Sequence, residues 1–388
     1  MRIFLPRPAS LALLCAGLLT GCASVDPDVV ANGEDSSPLP AEVAINPDAG
    51  RGNFWMVTLH LADGHELPFV VDTGSSATVL DESLKPILGK PVGKITIQHW
   101  GIHEKKATYA TPKLYLGGVR LKSGGRTILL DLKGLSQQAG RPILGVLGLD
   151  VLENYCLQVD FAASRLRFMD PAQTNKAAWG RAFPLVALND KDPRPAVAGN
   201  LFGAEGPHAL IDTGYVTDGW LRPPAYRQWT NQAVAAAVGK ARSPDGRFFG
   251  EVYPEVFLLS ENVESDGIGL RFLARHLVTF DFPGDTLYLE RTSIGPLPEI
   301  GPSSARSYLK ALKEEGRLPG WAKDEHGTAK VMDPKPDGRG VTFEVSKQGD
   351  DSVFHYQVAQ PSPGGPWRLQ KAWRTDNDGH TLEEYPVP

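Results

Sequence analysis

Leu67-Pro68-Phe69-Val70-Val71-Asp72-Thr73-Gly74-Ser75 runs an apolar, strand-like segment straight into Asp-Thr-Gly, and the pattern returns as Ala209-Leu210-Ile211-Asp212-Thr213-Gly214-Tyr215, 140 residues later. Each run reads as the second arm of a hairpin. Trp55 to Leu61 turns at Ala62-Asp63-Gly64 into the first, and Ala196-Val197-Ala198 turns around Gly203 to Gly206 into the second. A further block also recurs. Gly148-Leu149-Asp150-Val151-Leu152, then Leu157-Gln158-Val159-Asp160-Phe161 and Arg165-Leu166-Arg167-Phe168, match Gly269-Leu270-Arg271-Phe272-Leu273, Val278-Thr279-Phe280-Asp281-Phe282 and Thr286-Leu287-Tyr288-Leu289 without a gap, at a constant offset of 121. Two blocks repeated in the same order define one β-rich unit present twice.

An apolar pair before Asp-Thr-Gly, followed later by Val146-Leu147-Gly148 in one copy and Gly267-Ile268-Gly269 in the other, resembles the aspartic peptidases, the group that contains pepsins and retroviral proteases. The resemblance spans roughly residues 53–290. It implies an all-β fold of two pseudo-symmetric acid-protease-type β-barrel lobes, 53–170 and 182–290, joined near Pro171 to Arg181. Each lobe is close in size to a retroviral protease subunit. With both lobes in one chain, the expected working unit is a monomer.

The chemistry explains why two such motifs are needed. Peptide hydrolysis requires one group to take a proton from water and another to deliver one, and two carboxylates sharing a proton can do both. The resemblance implies Asp72 and Asp212 as the catalytic pair of an aspartic endopeptidase acting on a peptide or protein, with no cofactor or metal. It further implies that Thr73 and Thr213 bond across the lobe junction and that the apolar-apolar-Gly segments pass behind the catalytic loops. Gly74 and Gly214 allow tight turning and close approach. The Ser75 hydroxyl is implied to bond the adjacent carboxylate and favour its ionisation. Lobe 2 departs from the pattern, with Tyr215 where a small hydroxyl residue is usual. A bulky ring there suggests distortion of the loop or intrusion into the cleft, which is the argument for the alternative reading, a non-catalytic lobe pair that binds peptides or an envelope partner.

Ile95 to His103, returning through Lys106 to Tyr109, reads as a hairpin and as the substrate flap, with Trp100, Gly101 and Ile102 at its tip closing over an extended peptide. The other reading of Trp100 is packing within lobe 1. The matching stretch of lobe 2 is 19 residues shorter, with a helical segment from Pro224 to Val238 and a small hairpin at Pro244-Asp245-Gly246, so a single dominant flap is expected.

The flanks carry separate instructions. Met1-Arg2, Arg7 and the short apolar run Leu11 to Leu19 fit a signal peptide over 1–22, too short to span a bilayer. Leu19-Thr20-Gly21-Cys22 resembles the lipobox of bacterial lipoproteins, which implies lipidation of Cys22 and attachment to the membrane, with Ala23-Ser24 pointing to the periplasmic face of the outer membrane. Residues 23–52, rich in Pro, Asp, Ser and Ala, read as a flexible tether. A formal net charge of −5 and the lack of a Lys/Arg run exclude nucleic acid as a natural partner. Cys156, in an apolar run, reads as a packed strand residue. The nine histidines include no His-x-x-x-His pair that would suggest a metal. Beyond Pro302 the repeat ends. A helical stretch, Ala305 to Glu315, and alternating runs Val341-Phe343-Val345, Phe354-Tyr356-Val358 and Trp367-Leu369-Lys371-Trp373 suggest a small α+β domain over 303–388, its aromatics serving either a core or a docking face.

Overall fold

Apolar residues at every second position, punctuated by Gly, Asp and Pro, make most of this chain strand. The computed structural model describes residues 42–387 apart from 100–101, 171, 173–174, 204–207, 237–244, 323–324, 336–338, 348 and 363–364. Strand exceeds helix by 43% to 15%, and the repeat is an all-β pair of pseudo-symmetric lobes.

In lobe 1 the strand Gly145–Leu147 lies between Glu66–Val71, to which it is parallel, and Val79–Asp81, to which it is antiparallel. Val79–Asp81 in turn runs parallel to Arg126–Leu130. Lobe 2 repeats every step. Asp266–Gly269 lies parallel to His208–Asp212 and antiparallel to Gly219–Leu221, which runs parallel to Leu258–Ser260. Matching sequence blocks thus give matching sheets, although lobe 1 extends to nine strands and lobe 2 to six.

A third sheet joins the lobes. Its order is Val43–Ala44, Arg165–Phe168, Cys156–Asp160, His276–Asp281, Thr286–Arg291, Arg181–Pro184, with the central pair antiparallel. Gln158 faces Thr279, its own repeat equivalent, and its Nε2 donates to Thr279 Oγ1 at 3.0 Å. The pseudo-twofold axis therefore passes between them. The core is likewise shared, because Trp55 of lobe 1 stacks on Phe280 of lobe 2 at 6.4 Å and meets Phe161 edge-on at 6.0 Å. Burying such rings against one another adds aromatic geometry to the hydrophobic gain and couples the lobes.

The tether expected over 23–52 ends earlier than its composition suggests. Val43–Ala44 pairs with Leu166 and Arg165 as the counterpart of Arg181–Pro184. Asp48 is buried, accepting from Asn46, Asn53 and Arg141. Residues 42–52 thus belong to the folded body, and the rest of the tether, with Cys22 and the signal segment, lies outside the described residues. The link between lobes is anchored by Trp179, buried and edge-on to Tyr288 at 5.1 Å.

The flap strands are Gly93–His99 and Ile102–Ala110, paired from Gly93 and Thr108 to His99 and Ile102. Trp100 and Gly101 lie outside the described residues. In lobe 2 the helix Pro223–Ala236 is present, but the short hairpin joins Gly246–Phe248 to Glu251–Tyr253 through Phe249-Gly250, later than the Pro-Asp-Gly signal implied.

The C-terminal part is a five-stranded antiparallel sheet, Gly327–Val331, Gly340–Lys347, Val353–Ala359, Arg368–Thr375 and Thr381–Tyr385, packed on the helix Gly301–Glu314. Its aromatics Trp321, Phe343, Phe354, Tyr356 and Trp367 form that core. The expected alternation through Trp373 fails, since a register shift at Gln357/Val358 puts Ala372 inside and leaves Trp373 stacked on His355 at 4.9 Å. No helix among the described residues is long and apolar enough to cross a membrane.

Candidate functional site

Each Asp-Thr-Gly loop follows a core strand, so its carboxylate arrives where two buried sheets end. Leu147 O accepts from Asp72 N at 3.0 Å, and Ser75 O accepts from Leu149 N at 2.9 Å. In lobe 2, Tyr215 O accepts from Leu270 N at 2.7 Å, and Asp212 pairs with Gly269 across parallel strands. The segment behind each loop therefore holds it by backbone bonds.

The two loops meet on the pseudo-twofold axis. Thr73 N donates to Thr213 Oγ1 at 3.0 Å and Thr213 N to Thr73 Oγ1 at 3.1 Å. Thr73 Oγ1 donates in turn to Ile211 O at 2.7 Å and Thr213 Oγ1 to Val71 O at 2.8 Å. Gly74 N donates to Asp72 Oδ1 at 2.8 Å and Gly214 N to Asp212 Oδ1 at 2.9 Å, which fixes both carboxylate planes. A Cβ at Gly74 would collide with the Asp212 carboxylate, and one at Gly214 with that of Asp72. Each lobe's glycine is thus the seat of the other lobe's aspartate, and the need for glycine is one of space.

Both carboxylates are 1% exposed. Burial pushes both acids above the ordinary aspartate range. For Asp72 the Gly74 N–H opposes that rise; for Asp212 the negative charge of Asp72 adds to it, and the Arg194 guanidinium opposes it. The pair therefore holds on to a proton. The two side chains are hydrogen-bond partners of each other, so a proton held by one is shared with the other.

Two sequence expectations need correction. Ser75 Oγ donates to Ala77 O at 2.8 Å and so braces its own turn rather than the Asp72 carboxylate. Tyr215 does not enter the space around the pair. Its ring packs on Trp220 at 4.6 Å and its hydroxyl donates to Glu261 Oε1 at 3.1 Å inside lobe 2. Its backbone is undisturbed, because Tyr215 N meets Asp212 O at 3.3 Å just as Ser75 N meets Asp72 O at 3.3 Å. The loops are alike although the side chains point to different neighbours. Val216, next along, packs into the lobe 1 cluster around Phe54 and Val79.

One neighbour of the pair was missed. Arg194, on Asp192–Ala198, donates from Nη1 to Gly74 O at 3.2 Å. The available signal was a charged residue one hairpin upstream of the second motif, at the place where lobe 1 carries Phe54.

No protein-family model and no curated protein matches this chain. Among solved structures it is similar to basic 7S globulin from soybean, at 11% identity and a TM-score of 0.43, over 64% of this chain and 95% of that one. The fold assignment rests on the strand topology and on the repeat.

The raised carboxyls have a consequence for stability. A buried acid whose folded pKa exceeds its unfolded value keeps the folded state protonated where the unfolded chain has already ionised, so stability falls as pH rises from the ordinary carboxylate value through the raised one. Asp212→Asn removes that penalty. Chemical denaturation should find Asp212→Asn more stable than wild type at neutral pH and equal to it near pH 3, roughly a unit below the ordinary carboxylate value; equal stabilities throughout would show that the pair ionises as easily folded as unfolded.

Proposed function

We propose that this chain is an aspartic endopeptidase of the bacterial cell envelope, cleaving peptide bonds with a water held between Asp72 and Asp212. The observation that supports this most is the meeting of two Asp-Thr-Gly loops on one pseudo-twofold axis, each glycine seating the opposite carboxylate. In this reading Asp72 is the base. It takes a proton from the water as the water oxygen bonds to the scissile carbonyl carbon, while Asp212 gives its proton to the carbonyl oxygen. The tetrahedral diol then collapses. The C–N bond breaks as the nitrogen takes the proton now on Asp72, and the diol hydroxyl returns a proton to Asp212 as the C=O bond reforms.

The Gly93–His99/Ile102–Ala110 hairpin supplies a flap, and an extended peptide beneath it would bond through its backbone, a mode indifferent to side-chain sequence. Trp100, Gly101 and Ile102 are proposed to form its tip. Tyr215 was the ground for a non-catalytic reading, and its engagement with Glu261 withdraws that ground. The lipobox-like Leu19-Thr20-Gly21-Cys22 supports anchoring through lipid on Cys22, on the periplasmic face of the outer membrane.

Protein beginning at Ala23, incubated with a peptide library, should cut it, while Asp72→Asn and Asp212→Asn forms should each lose at least about 10²-fold in kcat, because acid–base participation is worth about 10²–10⁴. Undiminished cleavage by either variant would remove that residue from the mechanism. In cells, Cys22→Ala should move the protein out of the membrane fraction, since the acyl chains supply most of the affinity; a correctly cleaved variant that stays there would end the lipoprotein reading.

A further inference from the structure

Arg194 is buried in a slot that is apolar in the other lobe. Met56 pairs with Val70 and Ala196 with Leu210, so the strands correspond and Arg194 stands where lobe 1 has the fully buried Phe54. Two prolines, Pro193 and Pro195, flank it on the strand. The guanidinium is clamped by its own strand. Nε donates to Asp192 Oδ1 at 2.9 Å and to Oδ2 at 3.1 Å, and Nη2 donates to Asp192 Oδ2 at 2.6 Å. Nη1 is then aimed across the lobe boundary at Gly74 O, 3.2 Å away, on the loop that carries Asp72.

A charge buried this far persists only where its partners outweigh the loss of solvation. Burial opposes the positive form of Arg194, but the bonds to Asp192 and the charges of Asp192, Asp212 and Asp72 more than restore it. Two of those three carboxylates are the pair itself. The other ionisable groups at hand are Tyr215, which feels the Asp212 charge, and Glu261, to which the Tyr215 hydroxyl is bonded.

We propose that Arg194 is a positioning residue for the pair, fixing the Asp72 loop from the opposite lobe through Gly74 and favouring the singly ionised pair against burial. The inference rests on the peptidase reading. Asp192 gives the guanidinium a fixed plane, so Nη1 reaches the Gly74 carbonyl at one angle; a lysine would carry the charge without that plane. Lobe 1 has Phe54 at this position, and so the pair is charged asymmetrically by a device that lobe 2 alone supplies.

The test compares wild type with Arg194→Lys and with Asp192→Asn/Arg194→Gln, a double variant that does not leave Asp192 behind as a buried carboxylate without its guanidinium. Two readouts are taken: the pH profile of kcat/KM, and the pH dependence of unfolding free energy. In the double variant both limbs should move to higher pH, by less than the roughly 1–3 pH units that a lone opposite charge is worth, because the Asp192 charge leaves with that of Arg194, and the window of falling stability should move with them. Arg194→Lys should keep the limbs near wild type while lowering kcat more than it raises KM. Limbs and stability window that stay in place in the double variant overturn the proposal. A moved stability window in a protein that cleaves nothing at any pH supports the placement of the Arg194 charge and overturns the peptidase reading, so the two failures are distinguishable.

Discussion

Thr73 and Thr213 each donate a hydroxyl to the other lobe's strand and accept an amide from the other lobe's loop, so four groups buried on the axis satisfy one another. An apolar side chain at either position would orphan a buried amide and a buried carbonyl, at about 1–3 kcal/mol for each. The exchange also sets distance. Only with the loops this close does each glycine touch the opposite carboxylate, and only then do two acids lie where neither ionises freely. The joint sheet through Gln158 and Thr279, and the Trp55–Phe280 stack, keep the lobes from separating.

The lobes keep their geometry while changing its chemistry. Behind the first loop, Thr78 Oγ1 donates to Asp150 Oδ1 at 2.8 Å, and burial raises the Asp150 carboxyl to about 6. At the equivalent positions of lobe 2 stand Asp218 and Arg271, joined by a charge-assisted bond, with Arg275 bonded to the same carboxylate at 2.8 Å. Removing one partner of so buried a network costs about 3–5 kcal/mol, which makes it a fixed part of lobe 2 rather than an ornament of its surface. Arg194 against Phe54 is the same kind of exchange brought up to the carboxylates.

The repeat was legible because strand and turn chemistry are local, and the offsets of 140 and 121 survive in the residues themselves. Val43–Ala44 was not. A two-residue strand has no alternation to read, and its partner lies more than a hundred positions away at Arg165 and Leu166. The Ser75 hydroxyl and the Tyr215 ring lie elsewhere than the motif suggests for a different reason. The motif dictates the backbone, and both residues obey it, but the direction of each side chain follows from neighbours such as Ala77, Trp220 and Glu261 that only the folded lobe brings close. Arg194 carries no sequence signal of its burial, because nothing local marks a charge between two prolines as buried, and the clamp from Asp192 that makes its burial tolerable is visible only in the fold.

Carboxyl-carbon NMR titration of aspartate-labelled protein tests the shared proton most directly, because it reads ionisation whether or not a substrate is known. If Asp72 and Asp212 hold one proton between them across the lobe boundary, their signals titrate together in two separated steps, the upper one above the ordinary aspartate range. Two independent titrations, both at ordinary aspartate pH, would contradict it.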